Sequence, residues 1–230
     1  MTQAPSPHRR GILLVISSPS GAGKTTLSRM VAASQKLVFS VSYTTRAPRP
    51  GERDGIDYNF VTDDEFSRMV EHHEFAEWAI VHGNRYGTAQ APIDTALADG
   101  RDIIFDVDWQ GGAALSKRWP EDSLKIFILP PGLAELEFRL KKRATDAPGV
   151  IDRRLQKALE ELTHYPEYQH LIVNDDLERA YAVLRAIYLT RRYGVEDRTD
   201  ISYPLAELAA LLHSGRATEA EAHARKLIAR

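Results

Sequence analysis

The amino-acid sequence predicts an α/β protein built on a parallel sheet whose two faces are both covered by helices. Three observations favour this class: apolar runs of strand length recur along the chain, helical patterns separate them, and a glycine-rich loop directly follows the first run. Continuous apolar strands that alternate with helices are typical of buried parallel sheets joined by right-handed crossovers.

The predicted elements alternate over most of the chain. The strands are expected at residues 12–16, 38–41, 103–107, 125–129 and 171–174. The helices are expected at residues 25–33, 112–119, 133–142 and 151–164, and from residue 177 onward. We expect these elements to form one domain over residues 11–190, with a core made of residues 11–41 and 88–190.

Residues 42–87 have a different pattern, with short strands at 58–61 and 77–81 on either side of a helix. Thr62 can cap that helix, and Glu65 three residues later completes a capping box. Ligands of open α/β sheets bind beyond the carboxyl ends of the strands. The segment is therefore predicted to be a small β-rich insertion over that edge of the sheet.

The two ends of the chain show no pattern that indicates chemistry. Residues 1–10 are polar and lack the apolar stretch of a secretory signal, so we expect a disordered leader. Residues 191–230 are expected to be a helical C-terminal extension, with helices at 205–212 and 218–228 and Gly215 between them.

Composition excludes several classes of function. The 230 residues include no cysteine, so the chain has no disulfide, thiolate metal site or cysteine nucleophile. A formal net charge of −2 gives no basic field for nucleic acid, and no run of about 18 apolar residues is present to span a membrane. The absence of cysteine fits a reducing cytosol, so we expect a cytoplasmic protein. Its oligomeric state is not fixed by the sequence, which leaves a homodimer open.

A phosphate-binding loop is predicted between the first strand and the first helix. The segment Ser18-Pro19-Ser20-Gly21-Ala22-Gly23-Lys24-Thr25 stands in the strand–loop–helix context that a P-loop requires. Backbone N–H groups would bind phosphate oxygens, Lys24 would reach the β- and γ-phosphates, and Thr25 would hold Mg²⁺. The strict motif has glycine where Ser18 stands, which we expect to affect only the local conformation. A glycine-rich turn that merely caps a helix is the alternative.

Asp106 is the predicted acidic partner of this loop. It ends the apolar strand 103–107 in the manner of a Walker B motif and would hold Mg²⁺ directly or through water. An aspartate at the end of a strand is also common as a turn or cap residue, which is the alternative role.

Arg46 and Arg49 are predicted to bind a phosphate monoester. They lie three residues apart in a stretch that proline and glycine stiffen, rather than in a regular element. Two guanidinium groups held in this way suit a phosphate dianion. The alternative, a basic surface loop, would have no need of that stiffening.

Together with further motifs, these residues resemble the guanylate kinase family over residues 12–187. The matching motifs, besides the P-loop, are Ser40-x-Ser42-x-Thr44-Thr45-Arg46-x-Pro48-Arg49-x-Gly51-Glu52, Asp57-Tyr58-x-Phe60, Glu77-Trp78, Gly83-Asn84-x-Tyr86-Gly87, Asp106-Val107-Asp108-x-Gln110-Gly111 and Val173-Asn174-Asp175-Asp176. The resemblance implies a P-loop NTPase fold with a GMP-binding insertion at 42–87 and a helical lid at about 139–154. It also implies a kinase of purine metabolism that moves the γ-phosphoryl group of ATP to GMP, or to dGMP, with Mg²⁺.

The resemblance also assigns site residues. The positions that bind the GMP phosphate are Arg46, Arg49, Tyr58 and Tyr86, and those that face the base are Ser42, Glu77, Thr88 and Asp108. The positions that bind ATP are residues 18–25 with Thr26 and Arg139. The catalytic cations are Lys24, Arg46, Arg143 and Arg154. Adenine contacts stay unassigned, with Asn174 as a weak candidate.

The chemistry of guanine agrees with this assignment. Its N1–H and 2-amino group are adjacent donors that one carboxylate, Glu77, can accept together, while Ser42 can donate to O6. Adenine has an unprotonated N1 and no 2-amino group, so Glu77 would face an acceptor. The alternative role for Glu77 is a salt bridge, which is the default for an isolated glutamate. The surrounding motif favours base recognition instead.

The predicted lid carries Arg139, Arg143 and Arg154 over the ATP phosphates. The family usually has glycines where this chain has Lys142 and Ala144, a difference expected to stiffen the hinge. Arg139 and Arg143 could instead form a solvated helix face, since they are four residues apart. ATP, GMP and one Mg²⁺ leave about four negative charges to balance, of which Lys24, Arg46 and Arg49 offset three. At least one lid arginine is therefore expected to be required.

Two rival functions remain from the sequence. A non-catalytic guanylate-kinase-like binding module would lack the phosphate loop, yet Lys24, Thr25 and Asp106 are present. A phosphotransferase of related fold, acting for example on a sugar phosphate, would not need the base-reading set Ser42, Glu77 and Asp108.

Overall fold

The computed structural model describes residues 10–81, 83–143, 150–193 and 218–229. Its helices are α1 (Lys24–Gln35), α2 (Asp63–Glu71), α3 (Gln90–Ala98), α4 (Trp109–Arg118), α5 (Leu133–Arg143), α6 (Val150–Leu162), α7 (Leu177–Tyr193) and α8 (Thr218–Ile228). Its strands are β1 (Leu13–Ser17), β2 (Val38–Phe39), β3 (Tyr43–Thr44), β4 (Asn59–Phe60), β5 (Phe75–Val81), β6 (Asn84–Ala89), β7 (Ile103–Asp106), β8 (Ser123–Leu129) and β9 (His170–Val173). The predicted leader, with the exception of Arg10, lies outside the described residues. The helix predicted at 205–212 and Gly215 also lie outside them.

A five-stranded parallel sheet of order β2-β7-β1-β8-β9 forms the centre of the protein. Every residue of β1 is buried, and its side chains alternate between the two faces. Leu14 and Ile16 pack in one apolar cluster with α1 and α7, whereas Leu13 and Val15 pack in another with α3 and α4. Both faces are therefore covered by helices, and the predicted α/β class is confirmed.

A separate four-stranded mixed sheet of order β4-β3-β6-β5 covers the predicted insertion 42–87, and its strand β6 continues beyond it to Ala89. Helix α2 packs on it through Phe66 and Met69, which form a small apolar cluster with Phe75. The capping box at the start of α2 is confirmed. Thr62 Oγ1 accepts the Glu65 N–H at 3.2 Å, and Glu65 Oε2 accepts the Thr62 N–H at 2.9 Å. The β-rich character predicted for this segment is thus present.

The structure adds to and corrects the predicted elements. Helix α3 and strand β6 were not predicted. Pro92 lies in the first turn of α3, where its missing N–H breaks no intrahelical hydrogen bond. Helix α4 begins at Trp109 rather than at residue 112, because the Asp108 carboxylate caps it by accepting the Gly111 N–H at 2.9 Å.

Helix α8 of the C-terminal extension packs at the β9 edge of the main sheet. Ala220, Ala224 and Leu227 are buried in a cluster with residues of β8, α6 and β9, and His223 Nε2 lies 2.8 Å from the Pro130 carbonyl oxygen. The described part of the extension therefore supports α6, the helix in which the predicted lid ends. In the ranges that the structure describes, none of the helices has the length and apolar character needed to cross a membrane.

The packing of α8 yields a stability prediction. Ala224 is fully buried in that cluster, with 0% of its surface exposed. Ala224→Asp should lower the free energy of unfolding by about 2 kcal/mol or more, because an unpaired carboxylate must be buried or the helix released. The melting temperature should fall by roughly 4–8 °C for a chain of this size.

Ala222→Asp is the matched control, since Ala222 lies on the exposed side of the same helix. It imposes the same change of helix propensity and charge without burial. Thermal unfolding of both variants is the measurement, and equal melting temperatures would contradict the docking of α8.

Candidate active site

The P-loop and the small sheet face each other across one cavity of about 260 Å³. The cavity lies at the carboxyl ends of β1 and β7, where an open α/β sheet binds its ligands. Its lining includes, of the predicted site residues, Ser18, Pro19, Ser20, Gly21, Gly23, Lys24, Thr25, Ser42, Arg49, Tyr58, Glu77, Tyr86, Asp106 and Asp108. The fold thus brings both halves of the predicted site together.

The P-loop connects β1 to α1 with two glycines at positive φ, 91° at Gly21 and 92° at Gly23. Side chains rarely adopt this conformation, and a Cβ at Gly23 would collide with Asn174 Nδ2. Ser18, by contrast, is not among the described residues at positive φ. The departure from the motif was expected to affect only the local conformation, and serine at this position introduces no strain from a positive φ.

Two side chains from distant elements hold polar groups of this loop. Asn174, directly after β9, donates Nδ2–H to the Ala22 carbonyl at 2.7 Å. Glu161 on α6 accepts the Ser20 N–H on Oε2 at 2.9 Å. Burial raises the pKa of Glu161, although the bond to Ser20 and the charges of Lys157 and Lys24 act in the opposite direction.

Sequence reasoning missed Glu161 entirely and treated Asn174 only as an adenine candidate. The signal available for Asn174 was its place at the end of a predicted strand. No local pattern distinguished Glu161 from Glu160, its neighbour on the same helix.

Lys24 and Asp106 form an ion pair between the P-loop and β7. Lys24 Nζ lies 2.7 Å from Asp106 Oδ1 and donates to the Val107 carbonyl at 2.6 Å. The two side chains are mostly buried, so the ammonium group is held by charge-assisted bonds at the end of the sheet. The parallel pairing of β1 with β7 creates this contact, because Ile16 lies opposite Asp106.

The oxygen donors near this pair suit a hard divalent cation. Thr25 offers a hydroxyl on the exposed first turn of α1, and Asp106 offers a carboxylate at the end of β7. Mg²⁺ is usually bound by one or two protein oxygens with substrate phosphates and water as the other ligands. The residues present therefore fit the ion that the sequence predicted.

Glu52 accepts hydrogen bonds from both of the predicted phosphate-binding arginines. Arg46 Nη2 contacts both Glu52 oxygens, at 2.9 and 3.0 Å, and its Nε donates to Tyr86 Oη at 3.2 Å. The guanidinium also lies over the Tyr58 ring, 5.3 Å from its centroid. Glu52 accepts the Arg49 N–H as well, at 2.7 Å, while the Arg49 side chain stays exposed. This role of Glu52 was not predicted.

The predicted base-facing residues lie around the carboxylate of Glu77, which is largely shielded from water. Thr88 on β6 donates its hydroxyl to Glu77 Oε1 on the adjacent strand β5 at 2.5 Å. Burial raises the pKa of Glu77 to about 7, against the lowering effect of Thr88, and nearby Asp108 raises it further. Ser42 and Asp108 line the same cavity. Glu77 is therefore an acceptor with only part of its hydrogen-bonding capacity used by Thr88.

A second cavity, of about 470 Å³, lies on the other side of the P-loop. It is lined by Gly21, Gly23, Thr26, Arg139, Lys142, Asn174, Asp175, Asp176 and Leu177. The predicted ATP residues Thr26 and Arg139 therefore lie together here, with Arg139 Nε 2.7 Å from Glu135.

The two remaining predicted lid arginines are Arg154 and Arg143. Arg154 lies on α6 and is half-buried, but it is not among the lining residues of either cavity. The side chain of Arg143, at the end of α5, and residue Ala144 lie outside the described residues.

Comparisons with known proteins agree with this geometry. The family profile described as Guanylate kinase matches residues 10–190. The guanylate kinase of Maricaulis maris is 52% identical over 186 residues, which cover 80% of this chain and 85% of that protein. The guanylate kinase of Paramagnetospirillum magneticum is 49% identical over 198 residues, which cover 86% and 92%.

A solved structure extends the similarity to the fold. The crystal structure of guanylate kinase from Anaplasma phagocytophilum superposes with a TM-score of 0.66 at 32% identity, covering 89% of this chain and 96% of that one. The profile match spans the phosphate loop, the small sheet and the parallel sheet described above. This chain therefore belongs to the guanylate kinase family.

Proposed function

We propose that this chain transfers the γ-phosphoryl group of ATP to GMP, and to dGMP, giving ADP and GDP. The observation that carries the proposal is the single cavity between the P-loop and Glu77. One side offers a phosphate cradle and the other offers a buried carboxylate that can accept both N1–H and the 2-amino group of guanine. A cytoplasmic location is part of the same proposal.

The charges of the site support a role for the lid. Lys24 is paired with Asp106, and Arg46 is paired with both oxygens of Glu52. Two of the three cations counted from the sequence therefore already have a carboxylate partner. ATP, GMP and Mg²⁺ together leave about four negative charges. We propose that the segment 139–154 supplies the missing cations, through Arg139, Arg143 and Arg154, and that residues 42–87 bind the acceptor.

The chemistry requires no covalent intermediate with the protein. An oxygen of the GMP phosphate attacks the γ-phosphorus of ATP, and the bond to the β-phosphate oxygen breaks as ADP leaves. The protein contributes in-line positioning and stabilisation of charge on the transferred group. Arg46, Arg49, Tyr58 and Tyr86 would orient the GMP phosphate, and Lys24 would bind the ATP phosphates. Mg²⁺, held by Thr25 and Asp106, would neutralise charge on the ATP phosphates when bound.

Selectivity for guanine would come from unpaired polar groups. With AMP in the site, Glu77 would face the adenine N1 acceptor and lose both donors. A site built to hydrogen-bond its substrate discriminates strongly, because mismatched groups are left buried without partners. The same property disfavours an acceptor without a base, such as a sugar phosphate.

The P-loop assignment predicts the effect of Lys24→Met. The substitution should lower kcat by about a hundredfold or more, because a charge that stabilises the transferred phosphoryl group is lost. A coupled assay of ADP release with GMP is the measurement. Lys117→Met, at an exposed position of α4, is the control and should keep parental rates. Near-parental turnover of a folded Lys24→Met protein would contradict the assignment.

The guanine assignment predicts the effect of Glu77→Gln on acceptor use. The amide turns half of the acceptor group into a donor that meets guanine's own donors. We expect kcat/KM for GMP to fall roughly tenfold to a hundredfold, and the preference for GMP over AMP to narrow. The Kd for ATP, measured by titration, should stay unchanged. Glu74→Gln, exposed just before β5, is the matched control. Parental use of GMP by Glu77→Gln would refute guanine reading by Glu77.

The buried Glu77 also predicts a pH-dependent stability difference. Its pKa is raised from 4.5 to about 7 in the folded protein, so the folded state binds this proton more tightly than the unfolded state. Ionisation of Glu77 therefore lowers the free energy of unfolding as the pH rises from about 4.5 to about 7. Glu77→Gln removes that loss.

Its melting temperature should exceed the parent's by an amount that grows between about pH 4.5 and about pH 7. Thermal unfolding of both proteins across this range isolates Glu77, because all other titrating groups are shared. Glu74→Gln should show no such trend. A difference that does not change with pH would count against burial of this carboxylate in its charged form.

A further inference from the structure

The two helices that contain the ends of the predicted lid, α5 and α6, contact the same turn of the P-loop. Near the end of α6, Glu161 accepts the Ser20 N–H at 2.9 Å. From α5, Leu136 and Leu140 lie against the next residue, Gly21. A Cβ added there would be 3.1 Å from Leu136 Cδ1 and 3.4 Å from Leu140 Cδ2. The turn is therefore bounded by a directional polar contact on one side and an apolar contact on the other.

The two helices also pack on each other. Leu136 and Leu140 of α5 form a buried cluster with Ala158 of α6, one turn before Glu161. Because packed apolar surfaces resist independent movement, α5 and α6 should move as a pair. Apolar contacts are not directional, so the hydrogen bond of Glu161 adds a directional contact between the pair and the P-loop.

A purely structural role explains Glu161 poorly. Only 8% of the residue is exposed, and burial of a carboxylate is unfavourable unless partners offset it. A neutral side chain would pack α6 at lower cost. The contact is made, moreover, to a backbone group of the phosphate loop, and Glu161 lines the same cavity as Lys24 and Asp108.

We propose that Glu161 is a positioning residue for ATP, which holds the Ser20 N–H and thereby fixes the phosphate loop against the helix pair α5–α6. This pair carries Arg139 and Arg154, so the hydrogen bond sets the relation between the P-loop and the lid cations. The inference rests on the proposed phosphoryl transfer, since it concerns the ATP half of that site.

Two conservative variants of Glu161 separate the effect of side-chain length from the effect of charge. Glu161→Gln keeps an oxygen at the same distance and removes the charge, whereas Glu161→Asp keeps the charge and shortens the side chain by one methylene. Ser20 should keep its partner in Glu161→Gln and lose it in Glu161→Asp and Glu161→Ala. We expect the Kd for ATP, titrated without GMP, to rise about tenfold in the last two variants and to stay within about twofold of the parent in Glu161→Gln.

Steady-state kinetics provide the second measurement. A merely structural role of Glu161 would not change KM for ATP while leaving KM for GMP unchanged. KM for ATP should rise and kcat should fall in Glu161→Asp, with KM for GMP unchanged. Glu160→Ala is the control, because Glu160 is the exposed neighbour on the same helix. If Glu161→Ala does not fold, the comparison of the Asp and Gln variants still decides the question.

Several results would overturn the proposal. Parental ATP binding by Glu161→Asp would show that the hydrogen bond is dispensable, and a loss in Glu161→Gln equal to that in Glu161→Asp would assign the effect to charge. Tighter ATP binding by Glu161→Ala would show that the carboxylate occupies a phosphate position. Equal effects of Glu160→Ala would show that the helix alone matters. A parent that binds ATP but does not phosphorylate GMP would refute the proposed function while leaving the ATP titrations decisive for Glu161.

Discussion

The hydrogen bonding of one glycine-rich turn is the constraint on which the rest of the structure depends. A loop that presents N–H groups to phosphate cannot pair them within a helix or a sheet, so other parts of the chain must hold its shape. Asn174 does so at the Ala22 carbonyl and Glu161 at the Ser20 N–H. The positions of both partners depend on the strand order of the main sheet. In this order the carboxyl end of β9 and its flanking helices lie near the carboxyl end of β1.

The charged groups of the site are arranged in pairs. Lys24 contacts Asp106, Arg46 contacts Glu52 and Arg139 contacts Glu135. Each cation is held in a defined orientation by its carboxylate, which lowers the entropy that remains to be lost when a phosphate binds. Substrate binding would then exchange one set of anionic partners for another, or share the cation between them.

Glu77 illustrates a conflict between stability and substrate recognition. The Glu77 carboxylate on β5 is largely shielded from water at the wall of the cavity, and the Thr88 hydroxyl alone does not satisfy it. In the absence of ligand this burial raises its pKa to about 7, which costs stability at neutral pH. Guanine would supply the two missing donors. On the proposed function, a residue that destabilises the free protein would become favourable only with the matching base.

The sequence by itself determined the α/β class, the P-loop and the capping box of α2, because each depends on residue types at short, fixed spacing. Through local motifs it also identified Arg46, Arg49 and Glu77 as candidate site residues. Only the tertiary structure decided which polar groups complete the site. Glu161 and Ser20 are 141 residues apart, and Asn174 and Ala22 are 152 apart. Such partners are selected by the packing of whole helices against the sheet, and hydrophobic periodicity does not encode which of two adjacent glutamates will face the loop.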